Sequence, residues 1–502
     1  MTNQQRIGYF IKSLREKKGL TQKDFAKRLA TSQSAVARME AGRQNFTTKE
    51  LEKISNSLHS KLLSINESVD FRVEGGRKLH GTVITNYSKN GAMGLICASL
   101  LNRGKTILHN IPEIEEVNRM IEILEALGVS VSWVDKHSLE IVPPTKFKKV
   151  GLLNLAVGQI RSSLMLLGSL AHILKNFRFA HAGGCKMGER TIEAHRHGLE
   201  ILGFKITTNK NNYEVRAGKL SAGKIVMYEM SDTATENMLI AASLIPGKTI
   251  IEFASPNYQV QELCFFLEKC GVKINGVGTS TLEIHGAKEI NKKLEYWNSE
   301  DPIESMMFLS AAITTGSRLK VKRCPIDFLK LELLKLKTMG LKFAVSREYL
   351  SQNGRTKLVD IQIFLSKLKA LPDKIHAQAY PGINTDNLPF FVPIATQAKG
   401  TTLIHDWMWE NRAIYFTELN RLGANITLAD PHRVFVNGPT PLKAAQVVCP
   451  PALRPAMIIL IAMLAAPGIS ILRNVYSIKR GYEEVAERLN KLGAKIQILR
   501  DL

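Results

Sequence analysis

The stretch ILEALGVSV, residues 123–131, carries the pattern that decides the fold. It reads as the end of an apolar-periodic helix, a glycine at 128 and a short apolar strand. The same arrangement returns as GLEILGFKI (198–206), FLEKCGVKI (266–274), LKTMGLKF (336–343), LNRLGANI (419–426) and LNKLGAKI (489–496). Gly128, Gly203, Gly271, Gly340, Gly423 and Gly493 thus recur 68 to 83 residues apart. Each stands where a helix end needs a positive φ. A leucine and a glycine after one helix is a common pairing, but six copies at near-even spacing indicate an internal repeat. A second marker, a glycine followed by an apolar strand, precedes five of the six: RGKTILHNIP (103–112), PGKTIIEFAS (246–255), TGSRLKVKRCP (315–325), KGTTLIHDWMW (399–409) and PGISILRNVY (467–476). The second copy breaks this rule with NFRFAHAGGCKMGERT (176–191). Departures from internal consistency are where function is expected. Six α/β units of about 70 residues predict two globular halves of three units each.

The altered copy places Cys185 after Gly183 and Gly184, with Lys186 and Arg190 close by. Paired glycines favour a flexible turn. Neighbouring cations favour a thiolate and also an anionic ligand. On these residues alone, an incidental cysteine in a surface loop is an equal reading.

The chain has 502 residues, of which 45% are hydrophobic and 23% charged, an ordinary composition for a soluble protein of several domains. Its longest apolar run near the C-terminus, Ala456 to Ala466, is too short to span a bilayer and predicts a buried helix. The polar, basic start lacks the apolar core of a secretion signal. Cys97, Cys185, Cys264, Cys270, Cys324 and Cys449 are scattered with no CxxC pair. Structural zinc and a disulfide framework are therefore not expected, and a reducing cytoplasm is. No metal-ligand spacing is visible. The formal charge of +23 points to anionic partners. Residues 1–67 carry a net +7, about three times the charge per residue of the rest.

That first segment reads as short helices. Ile7, Phe10, Ile11 and Leu14 recur at helical spacing, and Gly19 stops the helix. Thr21 can cap the next, with Asp24 three residues on, and Phe25, Ala26 and Leu29 give it an apolar face. Ser32 is an N-cap for a third helix whose Ala35, Val36 and Met39 face inward. Gly42 ends it, and Thr47 and Thr48 start a further helix through Leu51 and Ile54. Two helices joined by a tight turn predict a helix-turn-helix. The stretch LTQKDFAKRLATSQSAVARMEAGRQNFTTKELEKI (20–54) resembles DNA-binding domains of the Cro and phage-repressor type. The resemblance implies that Gln22, Gln33, Ser34 and Arg38 face double-stranded DNA, that Arg43 meets its backbone, and that the domain works as a dimer. The plainer alternative is a small helical bundle for protein contact.

The six-unit remainder, from 68 to about 498, resembles the enolpyruvyl transferases. It is closer to the branch that acts on UDP-N-acetylglucosamine than to the shikimate branch. The motifs are FRVEGGRKLHGTVITNYSKNGAMGLICASLL (71–101), GGCKMGER (183–190), MSDTATENMLIAA (230–242), EDPIESMMFLSAAI (300–313), NTDNLPF (384–390), WENRAIYFTELNRLGA (409–424), LRPA (453–456) and IKRGYEEV (478–485). The resemblance implies a two-domain inside-out α/β barrel preceded by a small all-α domain. It divides the chain into a helix-turn-helix domain (1–67), one transferase domain from 68–88 with 297–502, and a second from 89–296 carrying the Cys185 loop. It also implies the reaction: an enolpyruvyl group passes from phosphoenolpyruvate to the sugar 3-hydroxyl with release of phosphate, as in peptidoglycan precursor synthesis. No cofactor, metal or membrane is implied.

By the same resemblance Lys89 binds phosphoenolpyruvate and Asn90 the sugar. Arg161 matches the arginine of the family's R-A/S-S motif, Cys185 is the loop cysteine, and Arg190 binds phosphate. Ser231 lies at the nucleotide diphosphate, and Asp301 and Glu304 match a further motif. Asp386, Arg412, Arg454 and Arg480 match the family's aspartate and arginines. Asp386 suits the acceptance of the hydroxyl proton. Cys185 suits proton delivery, support of phosphate departure or covalent addition. Lys89, Arg190 and Arg480 suit neutralisation of phosphate and carboxylate. Taken singly, Lys89 and Asn90 are also a helix start, Asp386 an Asx turn, and Arg412 and Arg480 surface ion pairs.

Three positions depart from the family. Ala452 stands where an aspartate precedes LR, Asp232 puts a carboxylate at the expected diphosphate, and Pro302 replaces an arginine. These keep two alternatives open: transfer to another nucleotide or sugar acceptor, and a transcriptional regulator using a degenerate transferase body as ligand sensor.

Overall fold

The computed structural model describes residues 3–17, 20–44, part of 46–57, and then 69–148, 152–153, 156–183 and 191–500. Residues up to 68 and Val69–Leu499 form separate compact units.

In the first unit, helices span Asn3–Lys17, Gln22–Arg28 and Gln33–Glu40. The second starts at a capping box: Thr21 accepts from the Asp24 amide while Asp24 reaches back to the Thr21 amide. Ser32 caps the third by accepting from Ala35 N. Thr47 and Glu50 form another reciprocal cap, whereas Gly19 and Thr48 lie outside the described residues. Ile11, Phe25, Ala26, Leu29, Val36, Met39 and Ile54 make one small core. Arg15 and Glu40 pair inside it at 2.5 Å.

The larger unit contains six small sheets. One plan recurs. The strand Gly247–Glu252 pairs in parallel with Lys224–Val226 and antiparallel with Thr281–Gly286, and Lys273–Asn275 lies outermost. In every sheet the strand after the repeat glycine is an edge: Ser130–Asp135, Phe204–Thr208, Lys273–Asn275, Phe343–Val345, Asn425–Asp430 and Ile496–Arg500. The six glycines before them all have positive φ, between 84° and 103°. A side chain there would be strained, which is why the repeat keeps glycine. The altered second copy differs in the sheet as well. Asn176–Ala180, Asn212–Ala217 and Phe204–Thr208 form three strands, and no parallel fourth strand joins them among the described residues. In the sixth sheet the place of the inner antiparallel strand is taken by Val69–Gly75, between Gly468–Arg473 and Ile496–Arg500. The start of the unit thereby completes its last repeat.

Helices fill the centres and sheets form the outside. Pro302–Thr314 is buried along its whole length, and Leu453–Ala465 almost so. Helices that are apolar all round can only be interior, while the sheets show an alternating, one-sided burial, as along Gly400–His405, where Thr402 and Ile404 are buried and the residues between and beside them are not. Two buried clusters result. One joins residues 69–83 to 303–496, with Tyr258 reaching in from the other lobe, and defines a terminal lobe. The other runs from Ala92 to Tyr296 and defines an inserted lobe. The chain passes between them twice, side by side. Tyr87 bridges Glu300, Ser88 N donates to Ser299 O at 2.7 Å and Asp301 N to Asn86 O at 2.8 Å.

Cys97, Cys264, Cys270, Cys324 and Cys449 are buried free thiols. Burial pushes Cys270, Cys324 and Cys449 up to about 12, so they stay protonated and inert. No described helix is long and apolar enough to cross a membrane.

Candidate active site

Five of the residues singled out in the sequence, Lys89, Asp386, Arg412, Arg454 and Arg480, lie within one electrostatic cluster. Lys89 and Asn90 do open a helix, Lys89–Ser99, capped by Ser88, so the plain reading of them holds too. That start carries Lys89 to Glu116 and Asn90 to Tyr258. Lys89 Nζ lies 2.8 Å from Glu116 Oε2, with both groups largely buried. Ser162 donates to the other oxygen of Glu116 at 3.1 Å. Burial raises the Glu116 pKa. The charge and hydrogen bond of Lys89, followed by the charge of Arg480, outweigh burial and hold it below the usual range. Arg480, at the end of Tyr476–Lys479, therefore shares this cluster. Asn90 Nδ2 donates to the Tyr258 hydroxyl at 2.9 Å.

Asp386 sits opposite. Arg454 NH2 donates to its Oδ2 at 3.1 Å, and Arg412 NH1 lies 3.7 Å from Oδ1. Burial pushes its pKa up, and the charges of Arg454 and Arg412 overcome this, so it stays ionised at neutral pH. Lys89 adds to the same field. Arg454 also donates to Tyr482 at 2.7 Å and lies over its ring. Arg412 is no surface ion pair: it is 1% exposed. Asp406 holds it at 2.6 and 2.8 Å, and it donates to Thr385 O at 2.6 Å. Nor is Asp386 the residue that makes the Asx turn. Asn384 does so, accepting from the Asp386 amide at 2.8 Å.

Asp301 caps Pro302–Thr314 through Ile303 N at 2.8 Å, and Pro302 fits the first helical position because it needs no donor there. Burial pushes Asp301 up to about 6, against the opposing charge of Arg454. Glu304 accepts from Asn86 N at 2.5 Å and pairs with Arg488. Ser231 caps Asp232–Ala242, accepting from Ala234 N at 3.5 Å. The Asp232 carboxylate is not left bare toward the cleft. Ser255 donates to one oxygen and Asn257 to the other, the latter at 2.9 Å. Ala452 is fully buried and gives its helix no side-chain cap. Arg161 donates to Thr191 O at 2.6 Å. Cys185, Lys186 and Arg190 lie outside the described residues. A groove between the lobes is lined by Asp232, Asn257, Phe328, Tyr380, Asn384 and Thr385, among others.

The sequence reading missed Glu116, Tyr258, Asp406, Asn384 and Tyr482. Glu116, Tyr258 and Tyr482 act through partners far away in the chain and Asp406 through one at no regular spacing, so periodicity offered no signal, whereas Asn384 carries the two-residue Asx-turn signal that the sequence suggested for Asp386.

The family model described as EPSP synthase (3-phosphoshikimate 1-carboxyvinyltransferase) matches residues 73–489. The UDP-N-acetylglucosamine 1-carboxyvinyltransferase of Treponema denticola is 36% identical over 431 residues, covering 86% of this chain and 99% of that protein. The chain belongs to the enolpyruvyl transferase family. The enzyme of the same name from Borreliella burgdorferi is 34% identical over 425 residues, covering 85% of this chain and 98% of its own. Among solved structures, the enolpyruvyl transferase NikO from Streptomyces tendae aligns with a TM-score of 0.75 at 23% identity, covering 87% of this chain and 100% of its own. EPSP synthase from Acinetobacter baumannii aligns at 0.68 and 17%, covering 86% and 100%. At those identities the structures speak to fold alone, and that fold is shared over most of this chain. A helix-turn-helix model matches residues 11–63. In that domain Gln33, Ser34, Arg38 and Arg43 are exposed, while Gln22 donates to Glu40 at 2.8 Å. Among the described residues there is no group of histidine, cysteine, aspartate and glutamate fit to hold a metal.

Proposed function

We propose that this transferase moves the enolpyruvyl group of phosphoenolpyruvate to the 3-hydroxyl of UDP-N-acetylglucosamine and releases phosphate, in the cytoplasm. The observation that carries the reading is Asp386, an ionised carboxylate held by Arg454 and Arg412 opposite Lys89 and Arg480. In this reading the domain of 89–296 closes on that of 68–88 with 297–502. Asp386 accepts the proton of the acceptor hydroxyl as its oxygen bonds to C2 of phosphoenolpyruvate, and a proton is delivered to C3. Loss of a proton from C3 then re-forms the double bond as the C2–O bond to phosphate breaks. Lys89, Arg190, Arg454 and Arg480 neutralise the phosphate and carboxylate. Asn90, Arg161, Ser231 and Arg412 complete the substrate site. Cys185, on its glycine-flanked loop, serves the protonation at C3 or the departure of phosphate. The names of the relatives, at 36% and 34% identity over nearly their whole length, support this acceptor.

The capped, well-packed helix-turn-helix supports a second role, binding of double-stranded DNA by residues 1–67 as a homodimer, with Gln33, Ser34, Arg38 and Arg43 on its open face. Phosphate release by the full chain tests the first reading. Release that requires both substrates and falls in Cys185→Ala supports it. Binding of the nucleotide sugar without release favours the sensor, and neither binding nor release favours another acceptor.

A further inference from the structure

The carboxylate that looked misplaced in the sequence, Asp232, has a defined set of partners. Ser255 Oγ donates to Oδ1, and Asn257 Nδ2 donates to Oδ2 at 2.9 Å. Asn257 Oδ1 caps the helix Tyr258–Cys270, accepting from Tyr258 N at 2.9 Å. It also accepts from Asn384 Nδ2 of the terminal lobe at 3.2 Å. Asn384 Oδ1 in turn accepts from the backbone N–H of Asp386 at 2.8 Å. Glu332 holds the same loop from behind, through Asn384 N at 3.2 Å and Asn387 Nδ2 at 2.8 Å.

The direction of this chain is fixed by chemistry. A backbone N–H only donates and a carboxylate only accepts. Asn257 must therefore turn its oxygen to Tyr258 N and its NH2 to Asp232. With that oxygen facing the cleft, Asn384 must present its NH2, which leaves its own oxygen for the Asp386 amide. Each amide is oriented by its neighbour, and the series begins at Asp232 and ends at the backbone of Asp386. A position in the inserted lobe thereby sets a loop in the terminal lobe.

We propose that Asp232 is a positioning residue: through Asn257 and Asn384 it holds Asp386 in place when the two lobes meet. The proposal rests on the reading of Asp386 as the proton acceptor. Asp232 does not touch the reacting atoms. Its task is to make the Asn257–Asn384 contact possible in one orientation only, so that closure and placement of the carboxylate occur together.

Hydrogen–deuterium exchange on the full chain tests this without any substrate, so it stays informative whichever acceptor the enzyme uses. Asp232→Ala removes the acceptor and is expected to raise exchange at 384–387 about tenfold, as for the loss of one buried hydrogen bond. Helices Pro302–Thr314 and Leu453–Ala465 keep their protection. Asp232→Asn offers an amide oxygen to Asn257 and an NH2 to Ser255 Oγ, and restores exchange to within about twofold of wild type. Asn257→Ser keeps a good helix cap but cannot span to Asp232 and Asn384. It is expected to raise exchange at 384–387 as Asp232→Ala does, and the double variant to go no further. In the transfer assay Asp232→Ala is expected to lower kcat about tenfold with KM for phosphoenolpyruvate unchanged. Wild-type exchange at 384–387 in Asp232→Ala would overturn the proposal. So would effects of Asp232→Ala and Asn257→Ser that simply add, or a change in KM at constant kcat.

Discussion

Helices Pro302–Thr314 and Leu453–Ala465 each follow a parallel edge strand, lie packed in the core of the terminal lobe and are almost wholly buried. Their first residues differ. Asp301 caps one helix, as Ser88 and Ser231 cap their counterparts in the inserted lobe, and Ala452 caps nothing. Arg454 connects the two places, because its charge acts on Asp301 while its guanidinium holds Asp386. The core tolerates the missing cap because the remainder of Leu453–Ala465 is so thoroughly buried. On the proposed reading, the alanine takes the place of a carboxylate at the cleft, a loss to chemistry more than to folding.

The largest expected effect lies at the carboxylate the two helices frame. Asp386→Asn should lower kcat for phosphate release by about 10²–10⁴, the range for losing a proton acceptor, measured at saturating substrates. Next, Ala452→Asp should raise kcat by about a hundredfold if the missing carboxylate limits the rate. An unchanged rate would break the comparison and make Ala452 neutral for catalysis.

A pH profile sharpens it further. Asp301 has a folded pKa near 6, above its ordinary value of 3.8. The folded state therefore binds more protons between those values, and stability falls as pH rises from about 4 to about 6, with a slope of order 1 kcal/mol per pH unit. Thermal unfolding across this range should show that slope as the difference between wild type and Asp301→Asn. The smallest effects are those of the caps alone. Ala452→Ser should add about 0.5–1 kcal/mol by denaturant unfolding, without raising the rate, and Asp301→Ala should cost about 1 kcal/mol near pH 5.

The repeat was legible because it is written locally. A helix end, a glycine and a strand lie within nine residues, and all six glycines adopt the backbone they announce. Thr21 and Ser32 were legible as caps for the same reason. Even the altered copy at 176–191 showed itself, and its sheet has three described strands. The return of Val69–Gly75 to complete the last sheet was not legible, since its partners Gly468–Arg473 and Ile496–Arg500 lie about 400 residues on. The candidate residues could be read one by one, and the contacts between them could not. Lys89 was visible and Glu116 was not. Asp386 was visible, but Asn384 beside it read only as part of a turn. Asp232 read as a stray charge because Ser255 and Asn257, which take up its two oxygens, lie on the loop beyond the next strand.

Transfer of the enolpyruvyl group is witnessed most directly by its product. Purified full-length protein would be incubated with phosphoenolpyruvate and UDP-N-acetylglucosamine, and the nucleotide sugar recovered and its mass measured. The expected product is a species in which a carboxyvinyl group has replaced one hydroxyl hydrogen, formed by wild type and lost in Asp386→Asn. Recovery of the nucleotide sugar unchanged, from folded protein that binds both substrates, would contradict the proposed transfer.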